Sequence, residues 1–312
     1  MRHLFDSHFQ GYRVAIATPR SLPRADQLSG RVVMLDLAFA YNKPSGPYPS
    51  VTHKLIAQLG DRLALFLDHH DSDFHKDFDG NSRFVLATKA QHGACPEMIS
   101  PEIVAQVGEV NTILCHGDFD GLVSAAKWIL GGQEPYPGSD QDAWCIDTRM
   151  GEPSAEAQCL DRALRADPKN PRVRELVLRL LIDGFDQNQL WREINHIGKE
   201  IKRREEAAEK LAEEYQLLSE RVAYLDVRTT HLEYDRTHLL LLGQQRAQIA
   251  VIRTYHNVGF AAPFNSGVNF LNLFSLSGGM PTVVTLPDRR LRGALTQLGV
   301  SHNLAHSITA TH

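Results

Sequence analysis

The sequence of 312 residues has little cysteine. Cys95, Cys115, Cys145 and Cys159 show neither CxxC spacing nor the density of a disulfide framework. Reduced thiols in a cytoplasmic setting are therefore expected, and a thiolate zinc site or a stapled miniature fold is excluded. Long hydrophobic runs are missing too. The longest aliphatic stretch, residues 239–242, is far too short to span a bilayer, and residues 1–13 hold no apolar core of signal-peptide length, so no export or membrane segment is expected. There is no excess of positive charge: 33 Lys and Arg stand against 37 Asp and Glu, net −4. That argues against a broad duplex-coating surface and makes any nucleic-acid contact local. Neither GxGxxG after a strand nor GxxxxGK[ST] occurs, so dinucleotide and P-loop readings lack their phosphate cradle.

What is present is an ordinary globular balance, 43% hydrophobic and 22% charged, in a chain long enough for two lobes. The first half alternates short aliphatic runs with helical stretches, which predicts an α/β fold with a parallel sheet. Expected strands are residues 14–17, 32–35, 63–67, 84–87, 112–115 and 143–146. From 190 to 222 the spacing of Leu190, Ile194, Ile197, Ile201, Ala208, Leu211, Tyr215, Leu218 and Val222 predicts one long helix, interrupted by Arg204. A connecting helix packed on its own lobes is the plainer reading, and a homodimer through it the other. The remainder restarts with a strand at 222–227, a helix around 239–252 and a strand at 282–286, a smaller α/β lobe. The expected division is 1–187, a connecting helix at 188–222, and 223–312.

The chemistry lies at strand ends, because in open α/β sheets the carboxyl ends of strands converge on the ligand crevice. Asp36 follows one strand, Asp68, His69 and His70 the next, and His116, Asp118, Asp120 and Gly121 (HGDFDG) a third; Asp147 follows the run at 143–146. Alternate residues point the same way, so His116, Asp118 and Asp120 can face one point. Carboxylates with imidazoles favour hard divalent cations such as Mn²⁺, Mg²⁺, Fe²⁺ or Co²⁺. A surface acidic turn explains HGDFDG taken alone, but two adjacent histidines after a buried strand seldom serve packing only. Together the residues supply ligands for two cations, with Asp36 or Asp118 as a bridge. The stretch 71–80 mimics a calcium loop without the glycine and glutamate such a loop needs, and is read as solvated. Lys199, Lys202, Arg203 and Arg204 can guide a nucleic-acid strand, or simply form a wet helix face with Glu200, Glu205 and Glu206.

These residues resemble the DHH superfamily of phosphoesterases over most of the chain. VVMLD at Asp36, LFLDHH, ILCHGDFDGLVSAA and WCIDTRMG are similar to its motifs, but the HxDxDG-like segment follows DHH, so the chain looks circularly permuted. The resemblance implies a parallel-sheet DHH domain joined by a long helix to a smaller DHHA1-like domain. It assigns His116, Asp118 and Asp36 to one cation and Asp120, Asp36, His69 and Asp147 to another, with Asp36 bridging. Mn²⁺ is foremost, with Mg²⁺ or Co²⁺ as alternatives. It gives catalytic roles to Asp68, as an orienting group, and His70, at the scissile phosphate. Gly299, Ser301 and His302, in a degenerate GGGH-like segment, and Arg289 would bind substrate.

The function implied is hydrolysis of short single-stranded oligonucleotides or dinucleotides by a two-metal mechanism with a bridging hydroxide as nucleophile. A pyrophosphatase- or exopolyphosphatase-like phosphoanhydride hydrolase is one alternative. A catalytically retired nucleotide-binding or scaffold protein is the other.

Overall fold

The structure is a computed structural model that describes residues 5–19, 21–39, 51–72, 74–276 and 281–310. Asp73, in the stretch 71–80, lies outside them. The chain divides into two compact units, Met1–Lys199 and Glu200–His312.

In the first unit the elements run β1 (Phe5–Phe9), β2 (Tyr12–Ala17), β3 (Val32–Leu35), α1 (Thr52–Leu59), β4 (Leu63–Asp68), β5 (Phe84–Leu86), α2 (Pro101–Val107) and β6 (Thr112–His116). Helices α3 (Phe119–Ile129), α4 (Ser139–Thr148), α5 (Ala155–Ala166) and α6 (Pro171–Asp183) follow, and α7 (Asn188–Ala212) runs across the division between units. The sheet order is β1-β2-β6-β3-β4-β5. Only the β1–β2 pair is antiparallel; β2, β6, β3, β4 and β5 run parallel.

Period two explains why the central strands read as unbroken apolar runs. Val14, Val33, Leu35, Leu65, Leu67 and Ile113 pack on one face with Leu122, Leu160 and Leu176 of the helices. The alternate residues Ala15, Val32, Met34, Phe66 and Leu114 pack on the other with Leu55 and Leu59 of α1. A sheet covered on both faces has no polar side to alternate with. Every residue of α3 is buried, and Trp128 on it is wholly enclosed, so truncating that ring to alanine would cost about 3–5 kcal/mol.

Two sequence expectations fail here. Residues 143–146 are not a strand but the middle of α4, whose first turn carries Asp140 and Asp142. Ala143, Cys145 and Ile146 are buried, and a four-residue apolar run does not distinguish a buried strand from one helical turn. The long helix ends at Ala212, not near 222, and residues 216–219 pair antiparallel with the next strand. Tyr215, Leu218 and Val222 continued the heptad by coincidence. Tyr215 instead donates from its hydroxyl to the Leu239 carbonyl at 2.9 Å, and Leu217 is left exposed.

The second unit contains β7 (Gln216–Ser219), β8 (Val222–Asp226), α8 (Arg236–Gln244), β9 (Ile249–Arg253), β10 (Asn257–Ala261), α9 (Phe270–Leu273), β11 (Val283–Pro287), α10 (Leu291–Gln297) and α11 (His302–Ala310). Its sheet order is β11-β10-β9-β8-β7. The helix expected around 239–252 stops at Gln244, and residues 249–253 form a fully buried strand parallel to β8. The apolar positions of α7 are used within the chain: Ile194 joins the first unit's core, and Ala208 and Leu211 a core of the second. Arg203 and Arg204 pair with Glu200, and Arg204 also with Glu233, the wet-face arrangement. No helix among the described residues is long and apolar enough to cross a membrane. All four cysteines are free.

Candidate metal centre

Three adjacent parallel strands, β6, β3 and β4, end side by side and deliver His116, Asp36, and Asp68 with His69. Asp36 leaves β3 with φ +56, in the left-handed region that is costly for a side-chain-bearing residue. Its amide donates to the Leu67 carbonyl at 3.0 Å, which fixes that conformation. Asp118 caps α3, with one carboxylate oxygen accepting from the Gly121 amide at 3.4 Å and the other 2.7 Å from His116 Nδ1. Asp120 enters on the first turn of the same helix. Gly121 is required by space: a Cβ there would stand 2.7 Å from the His116 carbonyl oxygen and 3.0 Å from Asp36 Oδ2.

Three sets of side chains bring their ligand atoms within 4.8 Å of one another: Asp36 with His116 and Asp118, His69 with Asp120 and Asp147, and Asp36 with His69 and His70. Asp36 therefore sits between the first two, with its oxygens 3.3 Å from His69 Nε2 and 3.7 Å from His116 Nδ1. His69 Nε2 also lies 3.4 Å from Asp120 Oδ2 and 3.9 Å from Asp147 Oδ2. All six residues assigned to metal from the sequence thus meet around one point. Asp147 arrives from the last turn of α4 rather than from a strand.

His70 Nδ1 lies 2.9 Å from the wholly buried Asp68 carboxylate, and the ring remains partly exposed. His302 begins α11 and Ser301 precedes it, with Ser301 Oγ accepting from the Leu304 amide at 3.4 Å. Gly299 precedes them at φ +87, and Arg289 occupies the short turn before α10.

The donor set fits a divalent cation better than it fits itself. Asp36 Oδ1 and Oδ2, His69 Nε2 and Asp120 Oδ2 are buried side-chain atoms with no hydrogen-bond partner. Uncompensated buried polar atoms are costly, and native proteins keep few of them. Here they all aim at one another. Burial, then the charges of Asp120 and Asp118, push the Asp36 carboxyl up to about 6, against its contacts with His116 and His69. Burial pulls the His69 imidazole down, but Asp120 and Asp36 outweigh it and hold the ring at about 11. Burial likewise opposes the charge on His116, which Asp118 and Asp36 keep at about 11. The cluster demands positive charge, which protons or a divalent cation can supply.

Lys89 was not singled out from the sequence. Its ammonium is ion-paired with Asp147. Its signal was available: it follows β5, whose carboxyl end points to the same sheet edge. Arg174 on α6 also approaches, donating to the Gly117 carbonyl at 3.4 Å.

No protein-family model and no curated protein matches the chain. Among solved structures it is similar to the pGpG-specific phosphodiesterase PggH from Vibrio cholerae, with a TM-score of 0.45 and 11% identity over 87% of this chain and 99% of that one. It is also similar to the exonuclease RecJ bound to manganese, with a TM-score of 0.41 and 11% identity over 90% of this chain and 76% of that one.

Proposed function

We propose that the chain is a divalent-cation-dependent, DHH-type phosphodiesterase acting on short single-stranded oligonucleotides or dinucleotides, with its motifs in permuted order. The observation that carries this reading is the convergence of Asp36, His69, His116, Asp118, Asp120 and Asp147, with orphaned buried oxygens, at the carboxyl ends of adjacent strands. The oxygen and imidazole donors suit two hard cations, Mn²⁺ foremost and Mg²⁺ or Co²⁺ after it, one on Asp36, His116 and Asp118 and one on Asp36, His69, Asp120 and Asp147. When bound, such cations neutralise phosphoryl charge and bring the pKa of a water toward neutrality.

The chain's own contribution is placement. Asp68 accepts from His70 Nδ1 and so fixes the ring's tautomer and direction. Burial disfavours the charged His70 ring, but Asp68 raises its pKa, which favours the protonated form that a leaving oxygen needs. A substrate-binding role for Gly299, Ser301, His302 and Arg289 belongs to the same reading, as does a cytoplasmic setting in which the four free thiols stay reduced.

The test is release of nucleoside monophosphates from di- to pentanucleotides by chelator-stripped protein reloaded with Mn²⁺. Intact substrates at full metal loading would sink the assignment. The buried Lys89 ammonium at the site favours a second reading, hydrolysis of a phosphoanhydride. Phosphate release from pyrophosphate, with dinucleotides left whole, would select it. Asp118→Ala separates both enzymes from a retired scaffold, because in an enzyme it abolishes turnover.

A further inference from the structure

Asp147 Oδ2 has two claimants. It holds the Lys89 ammonium, and it lies 3.9 Å from the orphaned His69 Nε2, within the set formed by His69, Asp120 and Asp147. Both members of the ion pair are more than four-fifths buried, with Lys89 16% and Asp147 19% exposed. Asp120 and Asp36 also act on the ammonium, so Lys89 lies inside the field of the centre and not on an outer surface.

A buried ammonium needs a counter-charge. A cation bound to Asp147 competes with Lys89 for the same oxygen, and a displaced Lys89 then needs another anion at the same place. A phosphoryl oxygen is the anion this chemistry would bring, and lysine binds phosphate as a mobile point charge. Resting on the phosphoester reading above, we propose that Lys89 is a phosphate-positioning residue. Asp147 holds it in reserve until a cation takes that carboxylate, and it then contacts a non-bridging oxygen of the substrate. The competing explanation is a purely structural tie between the loop after β5 and α4.

The test uses the full chain as wild type, Lys89→Met and Lys89→Arg. Mn²⁺ binding is followed by the paramagnetic resonance signal of the free ion, and inorganic phosphate binding to the Mn²⁺-loaded protein by calorimetry. With its competitor gone, Lys89→Met binds Mn²⁺ at least about threefold more tightly, and without the ammonium it loses about tenfold in phosphate affinity. Lys89→Arg recovers phosphate affinity to within about threefold, because it restores the charge. On a dinucleotide, Lys89→Met raises KM about tenfold and changes kcat less.

Unchanged phosphate affinity in Lys89→Met overturns the proposal. So does joint loss of Mn²⁺ and phosphate binding that arginine does not rescue, the mark of a structural tie. These binding measurements stand apart from turnover. A wild-type protein that binds both ligands as described yet cleaves neither phosphodiesters nor pyrophosphate refutes the enzyme reading and leaves the assignment of Lys89 intact.

Discussion

The Nδ1 atom of His69 lies 3.0 Å from the carbonyl oxygen of His92. A carbonyl only accepts, so Nδ1 keeps a proton, and Nε2 is the nitrogen turned toward Asp36, Asp120 and Asp147, free to coordinate once its own proton leaves. This is the arrangement by which a backbone group orients an imidazole for a metal.

Replacing His69 removes the donor shared by two of the three ligand sets. His69→Ala is expected to weaken Mn²⁺ binding by at least about 100-fold, the upper end of what the loss of an orienting partner costs. Equilibrium dialysis checks this, and retention of wild-type affinity would remove His69 from the centre.

Cation binding should release protons. His69 and His116, ordinarily near 6.5, are held at about 11 and are charged at neutral pH without metal. Coordination through their nitrogens therefore displaces on the order of two protons per chain at pH 7.5. Asp36, raised to about 6, adds another only below about pH 6. Apparent affinity accordingly falls as pH drops through 6, because protons and cations compete for the same carboxylate. Calorimetry in two buffers of different ionisation enthalpy measures the count, and release of fewer than about one proton would contradict the ligand set.

Gly121→Ala tests the close approach beneath the centre. The added methyl meets the His116 carbonyl and Asp36 Oδ2, so α3 must shift at a cost of about 1–3 kcal/mol. Thermal unfolding should register the loss, together with weaker Mn²⁺ binding. A variant as stable and as tight-binding as the wild type would show that the helix start can give way.

The second unit offers a pH linkage of its own. Asp226 accepts from Arg228 Nε at 3.0 Å and Nη2 at 2.8 Å. Burial raises its pKa, but Arg228 and Arg253 outweigh that and hold it below the ordinary 3.8. A carboxylate with a depressed folded pKa adds stability above its unfolded value and loses it as pH falls through the folded one. Asp226→Asn should therefore cost about 1 kcal/mol at neutral pH, a modest figure for a part-exposed pair. The gap from wild type should close as pH drops below 3.8, and a gap independent of pH would point to packing instead.

The strands that end in the acidic and histidine cluster were legible because each is a short apolar run closed by polar residues, and because a sheet covered on both faces leaves no alternation to misread. Asp36, His69, His116, Asp118 and Asp120 followed from that pattern. Asp147 lies beside His69 but comes from a different element than expected, since one turn of buried helix and a four-residue strand look alike in sequence. Lys89 was missed because a lone lysine after a three-residue strand is ordinary, and only the fold shows that its partner is the carboxylate that lies beside His69. The overrun of α7 has a similar cause: a heptad counts apolar spacing and does not register that Tyr215 turns to meet Leu239.

β6 lies between β2 and β3 although it follows both in the chain. A chain complete only as far as α2 lacks the strand with which the facing edges of β2 and β3 pair in the fold. Such edges invite pairing with other chains. The segment that brings His116 into the cluster is therefore also the one that closes the sheet.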